Sequence, residues 1–264
     1  MAKHSLDIER LNNFISKIDN AIIEWREAGI YYYWIDGKST RGFDISITDN
    51  IIEVRNTVLS NSHDYEMTNQ VVAEILNLTG GILLGEDEEP IDSLPLFKSD
   101  KIKEMEIMDC VHVRFMSKEY GHIAIYGPVR KVHFGTRLYE TYKKLNDQQL
   151  VKKMFDLIVK VNYEIPSFDY GNIMEVGNAE DDKEIMKLLT NKTDCVIDKY
   201  DYILLHTPEQ IPIMITNEIL NTMLPSNWVL VDEYTVVAPI TSTVEWNNLL
   251  NKARGYDLYD NFKA

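Results

Sequence analysis

The sequence predicts an α+β fold, with antiparallel sheet segments packed against several helices in one or two lobes. Three observations predict it. Alternating apolar stretches near the N-terminus are joined by turns too short for parallel crossovers. Apolar spacings of three and four recur between and after those stretches. Strands and helices come in runs and not in strict β–α–β alternation. A length of 264 residues suits one large domain or two small ones, and 45% hydrophobic with 26% charged residues is the make-up of an ordinary folded chain.

From Leu6 to Trp25, residues Ile8, Leu11, Phe14, Ile15, Ile18, Ile22 and Trp25 recur three and four apart, which predicts one amphipathic helix closed by Gly29. Ile30–Trp34, Phe43–Ile47 and Ile51–Val54 predict three short strands of a meander, separated by the turn formers Asp36-Gly37-Lys38 and Asp49-Asn50. A second helix over Asp64–Leu78 buries Val71, Val72, Ile75 and Leu78 and is stopped by Gly80-Gly81, with a strand at Ile82–Leu84 after it. Gly85–Pro90 predicts a loop, and Ser99 or Asp100 caps a short helix through Met105.

Val111, Val113 and Phe115 alternate with His112, Arg114 and Met116, and Ile123 and Ile125 alternate with His122, Ala124 and Tyr126. The pattern predicts a hairpin over 111–126 with Ser117–Gly121 as its loop. Helix follows over 136–161, broken at Asn146-Asp147. Turn residues without periodicity over 163–172 predict the boundary between an N-terminal lobe, 1–162, and a C-terminal lobe, 173–264. In the latter the expected order is helix 181–190, strand 195–205, helix 217–224, strands 227–231 and 234–238, and helix 243–253.

Charge narrows the function classes. The net charge is −15, and it is unevenly spread. Residues 1–100 hold 8 basic against 18 acidic side chains, 101–160 hold 12 against 7, and 161–264 hold 7 against 17. An acidic exterior argues against nucleic acid and against an anionic membrane surface, both of which demand neutralised phosphates. The longest apolar runs are five or six residues, too short for a membrane span, and charges stand where a signal peptide needs its apolar core. With two cysteines, Cys110 and Cys195, a disulfide scaffold or four-cysteine zinc site is excluded. The expectation is a cytoplasmic, reduced protein that takes no metal and no cofactor.

Catalytic motifs fail one by one. Gly37-Lys38-Ser39-Thr40 resembles the end of a phosphate loop, but Tyr32 stands where the first glycine belongs and Arg41-Gly42 leads into a strand. The glycines of Thr79–Gly85 end a helix where a dinucleotide site would open one. A Cys110/His112 pair on one strand face could in principle be nucleophilic, although free cysteines usually pack. Glu86, Asp87, Glu88 and Glu89 lack the alternating oxygen ligands and glycine of a calcium loop, and Glu180-Asp181-Asp182 reads as the acidic first turn of a helix.

Two binding surfaces remain. Tyrosines number 15, and alternation puts Tyr31 and Tyr33 on one sheet face, so they and the acidic residues Glu86, Asp87, Glu88 and Glu89 are candidates for contact with another protein, of basic character. If the hairpin faces its apolar residues inward, His112, Arg114 and His122 face outward together, with Arg130, His133 and Arg137 close behind. That cationic face is the alternative site, for a small anionic ligand with a histidine as acid or base. It could equally dock on acidic surfaces of its own chain.

The stretches Leu78–Ile91 (LTGGILLGEDEEPI) and Val231–Pro239 (VDEYTVVAP) with Trp246 resemble an uncharacterised bacterial family of unknown function. The resemblance implies no catalytic residues. Sequence reasoning therefore favours a non-catalytic, acidic protein-binding module of antidote, immunity or accessory type. An enzyme or binder acting on a small anion is the competing reading.

Overall fold

A computed structural model describes residues 5–27, 29–49, 51–91, 93–168, 172–176, 183–208 and 210–259. The chain divides into two compact units, 1–164 and 165–264. The class is α+β.

In the first unit, helix α1 (Ile8–Ile15) is capped by Asp7, whose carboxylate accepts from the Arg10 amide at 3.1 Å, and it buries Leu11 and Ile15. It ends ten residues earlier than the periodicity suggests. Asn20 turns the chain at φ +59°, a conformation Asn tolerates, and Ala21–Glu27 forms strand β1. The β-branched Ile22 and Ile23 gain more from pairing with Trp34 and Tyr33 across the sheet than from extending a short helix. Strands β2 (Ile30–Ile35), β3 (Phe43–Thr48) and β4 (Ile51–Asn56) complete an antiparallel sheet in the order β1-β2-β3-β4. One face packs Tyr33, Phe43 and Ile45 on Leu11 and Ile15 and on Met67, Val71 and Ile75 of helix α2 (Ser62–Thr79). Asn61 and Asp64 close a capping box at the start of α2, and Gly80 ends it at φ +58°. The expected strand at 82–84 reduces to a single bridge, Leu84 to Pro90.

Helix α3 is the main departure. It runs without interruption from Ser99 to Glu119 and absorbs residues 111–116, so the hairpin over 111–126 does not exist. Alternation over six residues competes there with a helical pattern over 21, Ile102, Cys110, Val113 and Ser117 forming one buried face. The longer pattern wins. The real hairpin joins strands β5 (His122–Tyr126) and β6 (Lys131–Gly135). Helices α4 (Thr136–Tyr142) and α5 (Asp147–Val159) follow, with the break at Asn146, which caps α5 in a box with Gln149. A π-helical turn, Lys160–Glu164, closes the unit.

The second unit holds two sheets. Strands β7 (Ile173–Val176), β8 (Glu184–Leu189), β10 (Tyr202–Leu205) and β11 (Ile213–Ile215) lie in the order β11-β10-β8-β7, with β8 and β10 parallel; between β8 and β10 in sequence lies β9 (Cys195–Ile197). The expected helix at 181–190 is thus strand β8 over its described part, because Ile185, Met186, Leu188 and Leu189 serve both faces of a central strand. Glu180-Asp181-Asp182 lies outside the described residues. Helix α6 (Asn217–Asn221) leads to strands β12 (Val229–Leu230) and β13 (Val236–Ala238), which form a sheet in the order β12-β13-β9, and helix α7 (Thr243–Ala253) packs Trp246, Leu249 and Leu250 into the core. The expected strand at 195–205 is broken at Asp198–Asp201, where Asn217 holds the turn through Tyr200 N and Asp198 O.

Candidate functional site

The cationic face read from the sequence is dispersed. On a strand His112 and Arg114 would share a side; on α3 they lie about 200° apart around the axis. His112 is exposed, whereas Arg114 reaches inward and its Nη1 donates to the carbonyls of Tyr142 and Leu145 at 3.5 and 3.3 Å. Arg130 donates from Nη1 to the carbonyls of Val161 and Asn162, both at 3.3 Å. These guanidiniums satisfy backbone carbonyls at or just beyond helix ends, a structural use of cations. His122 and His133 do meet, His122 Nε2 lying 3.0 Å from His133 Nδ1, but His133 is buried in the hairpin.

Of the two tyrosine candidates, Tyr33 is corrected and Tyr31 is half-buried. Tyr33 is fully buried, with its hydroxyl donating to Asn12 Oδ1 at 3.1 Å, and Tyr31 packs against the same core. They stabilise the sheet face that carries the helices. Glu86, Asp87, Glu88 and Glu89 are exposed on a tight turn, where Gly85 N donates to Glu89 O and Glu89 N to Asp87 Oδ1.

A buried polar cluster does organise this unit, and it is structural. Asp64 is buried at the start of α2, and its two oxygens accept from Thr40 Oγ1, Arg41 N, Asn61 N and Gly42 N at 3.0–3.2 Å. Gly42 sits at φ +63°, and a Cβ there would lie 2.4 Å from Tyr33 O, so the corner requires glycine. The side chains of Glu106 and Asp109 on α3 accept from Ser62 N and Leu59 N, both at 2.8 Å. Burial holds both carboxyls above their ordinary range and lowers the Arg41 guanidinium below its own. Cys110 faces the core, and burial pushes its thiol far up, which removes the nucleophile from a Cys110/His112 pair. Among the described residues, no group of three or more His, Cys, Asp and Glu is placed to hold a metal ion.

The feature that sequence reasoning missed is the outward face of α3. Met108 and Phe115 are 66% and 56% exposed, and with Asp109, Val111 and His112 they line a shallow concavity of about 500 Å³. Residues 108, 111 and 115 fall on one side of a helix, and the stripe continues to Glu104 and Lys118 at spacings of four and three. The signal was present: over 99–119 there are two apolar stripes, and the core can take only one. Reading residues 111–116 as a strand hid it.

No family model, curated protein or solved structure matches the chain. Fold and surface define it as an α+β protein of two units whose first unit exposes an apolar helix face.

Proposed function

We propose that the chain is a protein-binding module of accessory or antidote type, and that its contact surface is the outward face of α3. One observation carries this reading: Met108 and Phe115 stand exposed a helical heptad apart, on a helix whose opposite face is already committed to the core. Methionine and aromatic residues are over-represented at protein interfaces, since they bury large area and adapt to a partner's shape. Two of the cations that the sequence assigned to an anion site, Arg114 and Arg130, bond to backbone carbonyls. That favours the face of α3 over the cationic face as the contact surface.

The test is photo-crosslinking in the cells that make the protein. A benzophenone side chain at position 115 is expected to yield a discrete protein adduct, lost when Met108→Asp is added. The same probe at Ile211, an exposed apolar residue of the second unit, should give none. No adduct at 115, or identical adducts at 115 and 211, would sink the reading.

A further inference from the structure

The sequence of the α3 stripe says what can cover it. Along the outward face the order is Glu104, Met108, Val111, Phe115, Lys118, with spacings 4-3-4-3. That is the spacing of two heptads, on which apolar side chains can insert between side chains of a facing helix. The seam is also self-complementary. Glu104 lies seven residues before Val111 and Lys118 seven after it, each about 10.5 Å along the axis at 1.5 Å per residue. A two-fold axis through Val111 therefore sets Glu104 of one copy opposite Lys118 of the other, twice, and brings Met108 alongside Phe115 of the second copy.

We propose that the partner on this face is a second copy of the chain, docked antiparallel through α3. The proposal rests on the reading of α3 as the binding surface and names its occupant. Two-fold association is the commonest closed symmetry of soluble proteins, and it needs one patch that complements itself. A parallel pair would set Glu104 against Glu104 and Lys118 against Lys118, so the charges choose the direction. Within one chain they are weakly committed: Glu104 meets Lys101 only at 4.0 Å, both side chains being largely exposed, and Lys118 lies 5.9 Å from the ring of Tyr139. A single helix seam falls at the small end of specific interfaces, so the dimer should be reversible with a micromolar dissociation constant.

Sedimentation of the purified full chain tests this, over about 1 to 200 µM, the range in which a micromolar equilibrium is visible. The expected result is a concentration-dependent shift from monomer to dimer. Phe115→Asp should leave the circular dichroism spectrum unchanged and keep the chain monomeric throughout. Glu104→Lys alone and Lys118→Glu alone should each weaken the dimer about ten-fold at low salt, and the two together should restore it. A monomer at every concentration overturns the proposal, and so does a double variant no tighter than the single ones. If the chain stays monomeric while position 115 still crosslinks to a different protein in cells, self-association is wrong and the binding face stands. If both fail, both are wrong.

Discussion

Asp64 shows what one buried carboxylate does in this protein. Three of its four donors come from the β2–β3 loop and the fourth from the start of α2, so the side chain ties the β2–β3 connection to the β4–α2 connection. Asp64→Asn keeps the shape but points an amide at amide donors and should cost about 2–4 kcal/mol in denaturant unfolding. A loss below about 0.5 kcal/mol would show that the corner is held elsewhere. The helix beginning near Asp64 was legible in the sequence, but the loop that Asp64 binds was not, because nothing local couples Gly42 to Asp64. Glu106 and Asp109 supply a pH test. A carboxyl raised in the folded state binds its proton more readily there than in the unfolded chain. It therefore contributes stability at low pH that is lost as pH rises through the folded-state value. Glu106→Gln with Asp109→Asn retains an acceptor oxygen at each site and removes that loss. The stability of the variant relative to the parent should climb from about pH 4 upward, across the carboxylate range. A flat or falling difference would contradict the burial of these carboxyls.

Among the elements, those with long periodic patterns or clear caps were read from sequence alone: the β2–β4 meander, α2, the α4–α5 break and α7. Two kinds of element were not. Ala21–Glu27 carries a helix-compatible spacing but is held as a strand by its cross-strand partners, a tertiary effect. Residues 111–116 alternate by chance inside a longer helix. The β5–β6 hairpin illustrates the same dependence on distant partners. Its turn is held by Asn162, whose Oδ1 accepts from Val129 N and Arg130 N at 2.8 and 2.9 Å and whose Nδ2 donates to Ile158 O at 2.9 Å. Asn162→Ala strands two backbone donors and should destabilise by about 2–4 kcal/mol. Hydrogen exchange should quicken at Val129 and Arg130 before it does in α5. Unchanged protection at those two amides would remove Asn162 from the role.

At the scale of the molecule, each unit has its own apolar centre. That of 165–264 gathers β8–β11, β13, α6 and α7 around Ile203, Leu205, Trp228 and Trp246, the two indole rings 6.5 Å apart. The fragment 165–264 should accordingly fold alone and unfold in one cooperative step by tryptophan fluorescence; a featureless urea titration would show that it depends on the first unit. Charge segregation along the chain was visible in the sequence, but the bonds of Arg114 and Arg130 to the carbonyls of Tyr142 and Val161, distant in sequence, were not. The central claim is that the outward face of α3 is covered when the protein works. The most direct measurement is the rate of sulfoxide formation at Met108 under peroxide, compared between the purified chain at high dilution and the protein inside its own cells, and normalised to Met174, a partly exposed methionine of the second unit. The account predicts that Met108 oxidises several-fold more slowly in the cell. Equal normalised rates in the two settings would contradict it.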